Sequence, residues 1–303
     1  MKTVRRAGLV LGVSALLAGL GLGSATAQAG TTPGIMALCA MDVGSITAQG
    51  IYTDTVVSAG APPAASAPRV GPAVAKPGET KASTTWEFAD EPGSGTVDRG
   101  YAIYGTELDS TLIARPAGGP WWGRGIVAFD WNDYTAVVRS AFPKGANPTR
   151  EYFYAVRADG VLARFKKDNQ GFHPLGTYAG LKTVKTVTVI SQTASYDTLL
   201  VTTKAGALST IRIPVTSPMT PVVKVVRGTT WQGFEAIVAE KCGTSSTLLT
   251  AIDRETGSAY LYAVGHATGT TTAIQALGKI PGTFNDPVYF LRSSREGTPL
   301  NGE

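Results

Sequence analysis

Trp131-Asn132-Asp133-Tyr134-Thr135-Ala136-Val137-Val138 and, further on, Trp231-Gln232-Gly233-Phe234-Glu235-Ala236-Ile237-Val238 match position by position. In each, an aromatic opens a strand-like run. Trp86, Tyr178 and Phe284 open similar runs, so the five aromatics lie about 45 to 53 residues apart. Tyr178-Ala179-Gly180-Leu181, followed by Val184, fits the same frame. A second phrase alternates with the first: an apolar run, a tight turn and another apolar run. It is clearest in Ala155-Val156-Arg157-Ala158-Asp159-Gly160-Val161-Leu162 and in Leu200 to Leu208 around Gly206, and it returns near Gly257, Ser110 and Gly44. Alternation in Tyr152-Phe153-Tyr154-Ala155-Val156 and in Leu208 to Ile213 sends successive side chains to opposite faces, as a half-buried strand requires. Asp159-Gly160 and Ala205-Gly206 suit tight turns with positive φ. A period of this length with strand-like content predicts radial repetition: an all-β fold, a five-bladed β-propeller with repeats of about 47 residues.

The two phrases are out of step at the ends of the chain. Phe284 to Leu291 holds the first phrase and runs into a polar tail, whereas Ile35 to Ile46 holds only the second. Joined, they complete one blade, so strands from both ends close the ring and hide sheet edges. The two cysteines, Cys39 and Cys242, fall in the first and last turn units, which are neighbours only in a closed ring. An exported chain with two cysteines predicts one disulfide, and by the chain-entropy model a loop of about 200 residues contributes roughly 4 to 5 kcal/mol. The Ala/Pro-rich stretch at about 58–81, with Pro62-Pro63, breaks the rhythm and reads as a mobile loop or extended excursion. A sixth blade fits if that stretch hides strands.

Lys2, Arg5 and Arg6 precede an apolar, small-residue run, and Ala27-Gln28-Ala29 has the small-x-small pattern of a cleavage site. Residues 1–29 therefore read as a signal peptide cleaved near Ala29, and 30–303 as a single propeller domain with no membrane span. The expected location is secreted, extracellular. The signal takes three basic residues from the formal charge of +5, leaving about +2. That charge is no footprint for nucleic acid or anionic lipid.

The segments Trp131 to Val138, Phe153 to Phe165, Tyr178 to Val184, Leu199 to Ile213 and Trp231 to Val238 resemble the tachylectin-type five-bladed propellers. The resemblance implies a lectin that binds N-acetylated sugars at sites repeated between blades, without catalysis. These repeats diverge in length, and their turns are not uniformly Asp-Gly. Aromatic rings stack on sugar faces, so Trp121, Trp122, Trp131, Tyr178 and Trp231 are candidate ligand contacts. Trp121-Trp122 sits in a Gly/Pro-rich segment suited to an exposed platform. Trp131, Tyr178 and Trp231 recur at the blade period, which marks packing between blades more than a ligand contact.

Catalysis has little in its favour. His173 and His266 lie in no metal-binding or triad pattern, and neither a Gly-x-Ser-x-Gly elbow nor a phosphate-cradling loop occurs. Asp130 with Asp133, and Glu87 with Asp90 and Glu91, read as solvated loop charges, and Asp168-Asn169-Gln170-Gly171 as a turn rather than a calcium loop. No cofactor or metal is expected. Three readings follow: a secreted carbohydrate-binding propeller whose partner is a glycan or cell-surface polymer, an envelope-associated scaffold for a protein partner, and, behind both, a propeller glycan hydrolase or lyase.

Overall fold

A computed structural model describes residues 39–303. Residues 1–29, read above as a signal peptide, and Ile35 to Leu38 lie outside the described residues. Those described are all strand, turn and loop, and no helix among them is long and apolar enough to cross a membrane. In chain order the strands are β1 (Ala40–Ile46), β2 (Ile51–Ser58), β3 (Ala64–Ala65), β4 (Arg69–Ala73), β5 (Thr80–Ser83), β6 (Trp86–Glu91), β7 (Gly95–Tyr104), β8 (Glu107–Arg115) and β9 (Trp121–Ala128). There follow β10 (Tyr134–Phe142), β11 (Arg150–Arg157), β12 (Leu162–Asp168), β13 (Gly171–Tyr178), β14 (Val184–Gln192), β15 (Tyr196–Thr203), β16 (Leu208–Pro214) and β17 (Val222–Arg227). The last are β18 (Ala236–Cys242), β19 (Ser246–Asp253), β20 (Ser258–Val264), β21 (Ile274–Ile280) and β22 (Val288–Ser294).

Three four-stranded antiparallel meanders are separate sheets: β10–β13, β14–β17 and β18–β21. A ten-stranded sheet holds two more, joined where β22 runs parallel to β6, with Arg292 opposite Trp86. One is β6–β9, with β5 continuing the line of β6 along β7. The other takes its first strand, β22, from the end of the chain and then β1 and β2 from its beginning. First strands lie side by side in a cycle that returns to its start: β5, β10, β14, β18, β22 and again β5. The meanders thus radiate from one axis, as propeller blades do.

One backbone bond recurs at the start of every meander. The amides of Val74, Trp131, Leu181, Trp231 and Phe284 donate to the carbonyls of Gly50, Thr106, Gly160, Gly206 and Gly257, each in a hairpin turn of the preceding meander. All five side chains are buried, each in a different apolar cluster. Those clusters fill the seams between neighbouring meanders, so the core is distributed around the ring.

This bond corrects the sequence alignment at two places. Leu181, not Tyr178, takes the position of Trp131 and Trp231, while Tyr178 ends the outer strand β13. Val74, not Trp86, holds that position one meander earlier. Trp86 lies further along the first strand, stacked on Phe290 and packed over Gly100, where an added Cβ would strike the indole. An aromatic attracts the eye in sequence, but the seam requires only an apolar plug behind a fixed amide.

The stretch at about 58–81 is also corrected. Ala64–Ala65 and Arg69–Ala73 pair with β2, so much of the stretch forms the outer edge of that meander. These strands add to an existing sheet instead of forming one of their own. Cys39 and Cys242 form the expected disulfide, with Cα atoms 5.6 Å apart and a sequence separation of 203. It joins the residue before β1 to the end of β18, across the seam between adjacent meanders.

The residue before the plug is left-handed in three meanders: Asp130 (φ 63), Gly180 (φ 119) and Thr230 (φ 83). Thr230, being β-branched, is strained there. Thr230→Gly is expected to raise unfolding free energy by about 1 kcal/mol, read by urea denaturation; an equal or lower midpoint would refute strain at this site. Replacing both cysteines by Ala is expected to lower stability by roughly 2 to 5 kcal/mol. Thermal melts with and without reductant check this, and an unchanged midpoint would show that ring closure does not depend on the bridge.

Candidate functional site

The structure separates the five candidate aromatics. Trp131 and Trp231 are 3% and 4% exposed and pack in seams, Trp131 against Tyr134 and Phe165, Trp231 against Phe234 and Tyr262. As ligand contacts they are corrected, because rings so enclosed offer no face to a solute. Tyr178 is half-buried beside the apolar cluster that includes Leu181. Trp121 and Trp122 remain open, at 51% and 42%, on the outer strand β9. They are paired with Ala114 and Ile113 of β8.

Register assigns the two tryptophans to opposite faces of β9. Trp122 and Arg124 share a face with Ile113 and Thr111, their β8 partners, and Arg115 lies two residues beyond Ile113 on that face. This face of the β6–β9 meander fronts β2 and β4. Between them opens a cleft of about 130 Å³ lined by Asp54, Arg69, Gly71, Thr96, Arg115 and Arg292, among others.

The floor of the cleft is a balanced charge network. Asp98, fully buried, accepts from Arg292 Nε at 2.7 Å and from Arg115. Arg292 Nη1 also donates to Asp42 at 2.7 Å, and Arg69 bridges Asp42 at 2.8 Å and Asp54 at 2.5 Å. Three carboxylates therefore face three guanidiniums contributed by β1, β2, β4, β7, β8 and β22. Arg292 is stacked 4.0 Å over Phe88. Burial works against its charge, but Asp98 and Asp42 beside it raise its pKa above the usual value. Burial, and then the neighbouring Asp42, holds Asp54 above the ordinary carboxylate range.

Two polar atoms of this network are unpaired: the Tyr52 hydroxyl and Asp42 Oδ1. Burial first, then the fields of Asp98 and Asp54, push the Tyr52 phenol well above its ordinary pKa, so it stays a neutral donor. The two unpaired atoms are buried beneath the cleft, whose own lining sets the Asp54 carboxylate beside the Arg69, Arg115 and Arg292 guanidiniums. Such a set suits a polyhydroxyl ligand, since each hydroxyl both donates and accepts.

A second cavity, of about 190 Å³, opens on the axis and is lined from all five first strands. Lys185 donates to Glu235 at 2.6 Å, Lys81 to the Asn132 carbonyl at 3.3 Å and Arg254 to the Pro287 carbonyl. Glu235 is the one carboxylate among its lining residues. A glycosidase needs two carboxylates facing one cleft. Among the described residues no group of three or more His, Cys, Asp and Glu could hold a metal. Asp168 caps the turn it opens, accepting from the Gln170 amide at 2.9 Å and meeting His173 at 3.0 Å.

The sequence reading missed Asp42, Asp54, Asp98, Arg115 and Arg292. The signal available was a charge at a position of a strand whose alternation points it inward, as with Asp54 in Ile51–Ser58. Nothing in the spacing says that these five meet.

No protein-family model matches the chain, and no curated protein matches it in sequence. Solved structures resemble it at low identity. The lectin of Aleuria aurantia in complex with Fucα1-6GlcNAc is 12% identical over 79% of this chain and 74% of that one, with a TM-score of 0.44. The SapL1 lectin in complex with α-methyl fucoside is 10% identical over 82% and 100%, TM-score 0.42. The catalytic domain of the GH62 α-L-arabinofuranosidase of Coprinopsis cinerea is 13% identical over 70% and 73%, TM-score 0.42. Likenesses at this level carry no argument for site or activity, which rest on the geometry above.

Because Asp98 is fully buried and keeps only Arg115 once Arg292 is gone, Arg292→Met is expected to destabilise by about 3 kcal/mol. Adding Asp98→Asn should recover part of that loss in urea denaturation. A double variant no better than the single one would show that the pair is not coupled.

Proposed function

We propose that the protein is a secreted carbohydrate-binding propeller of five blades, acting without catalysis and taking a glycan or cell-surface polymer in the cleft between β2–β4 and β7–β9. Five seam plugs and five seam clusters support the blade count. The arrangement is compatible with the tachylectin-type resemblance, in which ligands sit between blades. Export through a signal peptide cleaved near Ala29 is supported by the disulfide, which belongs to an oxidising compartment.

One observation carries the sugar reading: an exposed tryptophan, Trp122, stands on the same sheet face as Arg115, which lines a polar cleft with Asp54, Arg69 and Arg292. An aromatic face stacks on the apolar side of a sugar ring, and the polar floor meets its hydroxyls. A scaffold reading draws on another feature. Outer strand β17 exposes Val222, Val223 and Val225 at 52%, 48% and 47%, an apolar edge suited to a protein partner. The hydrolase reading has the least support, since each carboxylate of the cleft already has an arginine partner.

The chain from Gly30 should be screened on immobilised glycans and cell-wall polymers, fucosides included, with free-sugar competition. Competable binding is expected, and Trp122→Ala should weaken it by about tenfold, the equivalent of ~1.4 kcal/mol of stacking. A folded protein that binds no glycan, or a Trp122→Ala variant that binds unchanged, would sink this reading and turn attention to β17.

A further inference from the structure

The seam between the β14–β17 and β18–β21 meanders holds a short piece of the chain itself. After a linker in which Glu296 and Thr298 are exposed, Leu300 packs with Val189 in the cluster of the preceding seam, and Gly302 and Glu303 enter this one. Its backbone is read like a bound peptide. The Gln192 amide donates to the Leu300 carbonyl at 2.9 Å, Gly302 donates to the Ile190 carbonyl at 2.8 Å, and Ala267 donates to the Gly302 carbonyl at 2.7 Å. An added Cβ on Gly302 would press on Thr247. The Glu303 amide donates to Ser191 Oγ at 2.7 Å, and Tyr196 Oη donates to the Glu303 carbonyl at 3.1 Å.

The Glu303 side chain is 5% exposed and lies among donors. Its Oε2 accepts from Thr198 Oγ1 at 2.5 Å, and Oε1 lies 3.2 Å from Arg212 and 3.9 Å from Lys224. Arg212 is itself stacked 4.3 Å over the Tyr196 ring. Strand register places Thr198, Thr210, Arg212 and Lys224 on one face.

The site has more capacity than its occupant uses. The Thr210 hydroxyl, buried on that face, has no partner, nor has Arg212 Nε, and Glu303 Oε1 accepts no hydrogen bond. The segment makes a single β-bridge, Ser191 with Asn301, not a strand ladder. A tether that is exposed, a short bridge and an underused donor set describe a ligand seated in a groove more than a strand of the sheet.

We propose that this groove is a recognition site for an extended acidic peptide, which Leu300–Glu303 fills in cis. Glu303 supplies the carboxylate for Thr198, Arg212 and Lys224, while Gln192, Ile190 and Ala267 read the backbone. Release of the segment exposes the site to an acidic peptide from elsewhere.

The test uses a chain ended at Pro299, with its fold checked by circular dichroism, and a fluorescent peptide of residues 294–303. Saturable binding is expected, weakening with added salt because Arg212 and Lys224 are partly exposed. The peptide carrying Glu303→Gln should bind about tenfold or more weakly, having lost the charge that the Thr198 hydrogen bond and the Arg212 and Lys224 ion pairs use, and the full chain should not bind the peptide. A folded truncated chain that binds neither peptide, or binds both equally, overturns the proposal. So does preference for a glucuronate oligosaccharide over the peptide. Should the truncated chain not fold, the full chain with a protease site placed between Glu296 and Pro299 is cut after folding. Exchange of the cut segment for labelled peptide is then expected in native mass spectrometry, and retention under excess peptide overturns the proposal.

Discussion

Each meander is apolar on both faces, and neither face can be covered from within. Leu199 and Val201 of β15 pack toward one neighbour while Leu200 packs toward the other. A sheet of this kind is stable only between two others, so a row of them leaves two uncovered faces and a ring leaves none. The recurrent bond from a buried plug to the previous turn fixes how neighbours meet: it sets depth and register at the hairpin end, and the side chain behind it seals the seam. Everything else follows from that joint. The chain ends must share a meander for the last seam to form, and the disulfide links β18 to β1 across the neighbouring one.

Charge is placed at the end of the seams remote from the plugs. Arg292 with Asp98, Arg139 with Glu87 at 2.9 Å and Arg150 with Asp197 at 2.5 Å each join one meander to the next. Burying such pairs contributes little net stability, because desolvation offsets most of the attraction. What they add is specificity, since a slipped neighbour would leave an unpaired charge in a dry seam. Arg164, almost wholly buried, plays the same part with backbone, donating to the Pro214 and Thr216 carbonyls at 2.6 and 3.0 Å.

The same construction creates the sites. Where two neighbours do not fill the space between them, a seam becomes a cleft with walls that are already polar and preorganised. One such opening is lined by Asp54, Arg69, Arg115 and Arg292, and another receives Gly302 and Glu303. Both draw their groups from several strands, which keeps the groups rigid. The axial mouth differs. Its cations are committed to neighbouring carbonyls and to Glu235.

How much of this could be read beforehand depends on the range of the interaction. Period, alternation and Gly-bearing turns are local, and they were enough for an all-β repeat fold. The cysteine positions and the phase shift add one piece of long-range information, the closing of the ring. The aromatic frame failed at Tyr178 and Trp86 because the seam selects apolar volume, which Leu181 and Val74 supply without any aromatic signature. The Ala/Pro-rich stretch looked unstructured because an outer strand such as Arg69–Ala73 has no buried face to impose a period. Exposure of Trp121 and Trp122 was legible from their Gly-rich surroundings, but burial of Trp131 and Trp231 was decided by the neighbour that covers them. The charged cleft was illegible, since Asp42, Asp54, Asp98, Arg115 and Arg292 share no spacing and meet only when the ring closes. By itself, then, the sequence determined strands, turns and their repetition, because these rest on contacts within a few residues. Only the tertiary structure decided which faces are covered and which charges converge, because both depend on strands drawn from opposite ends of the chain.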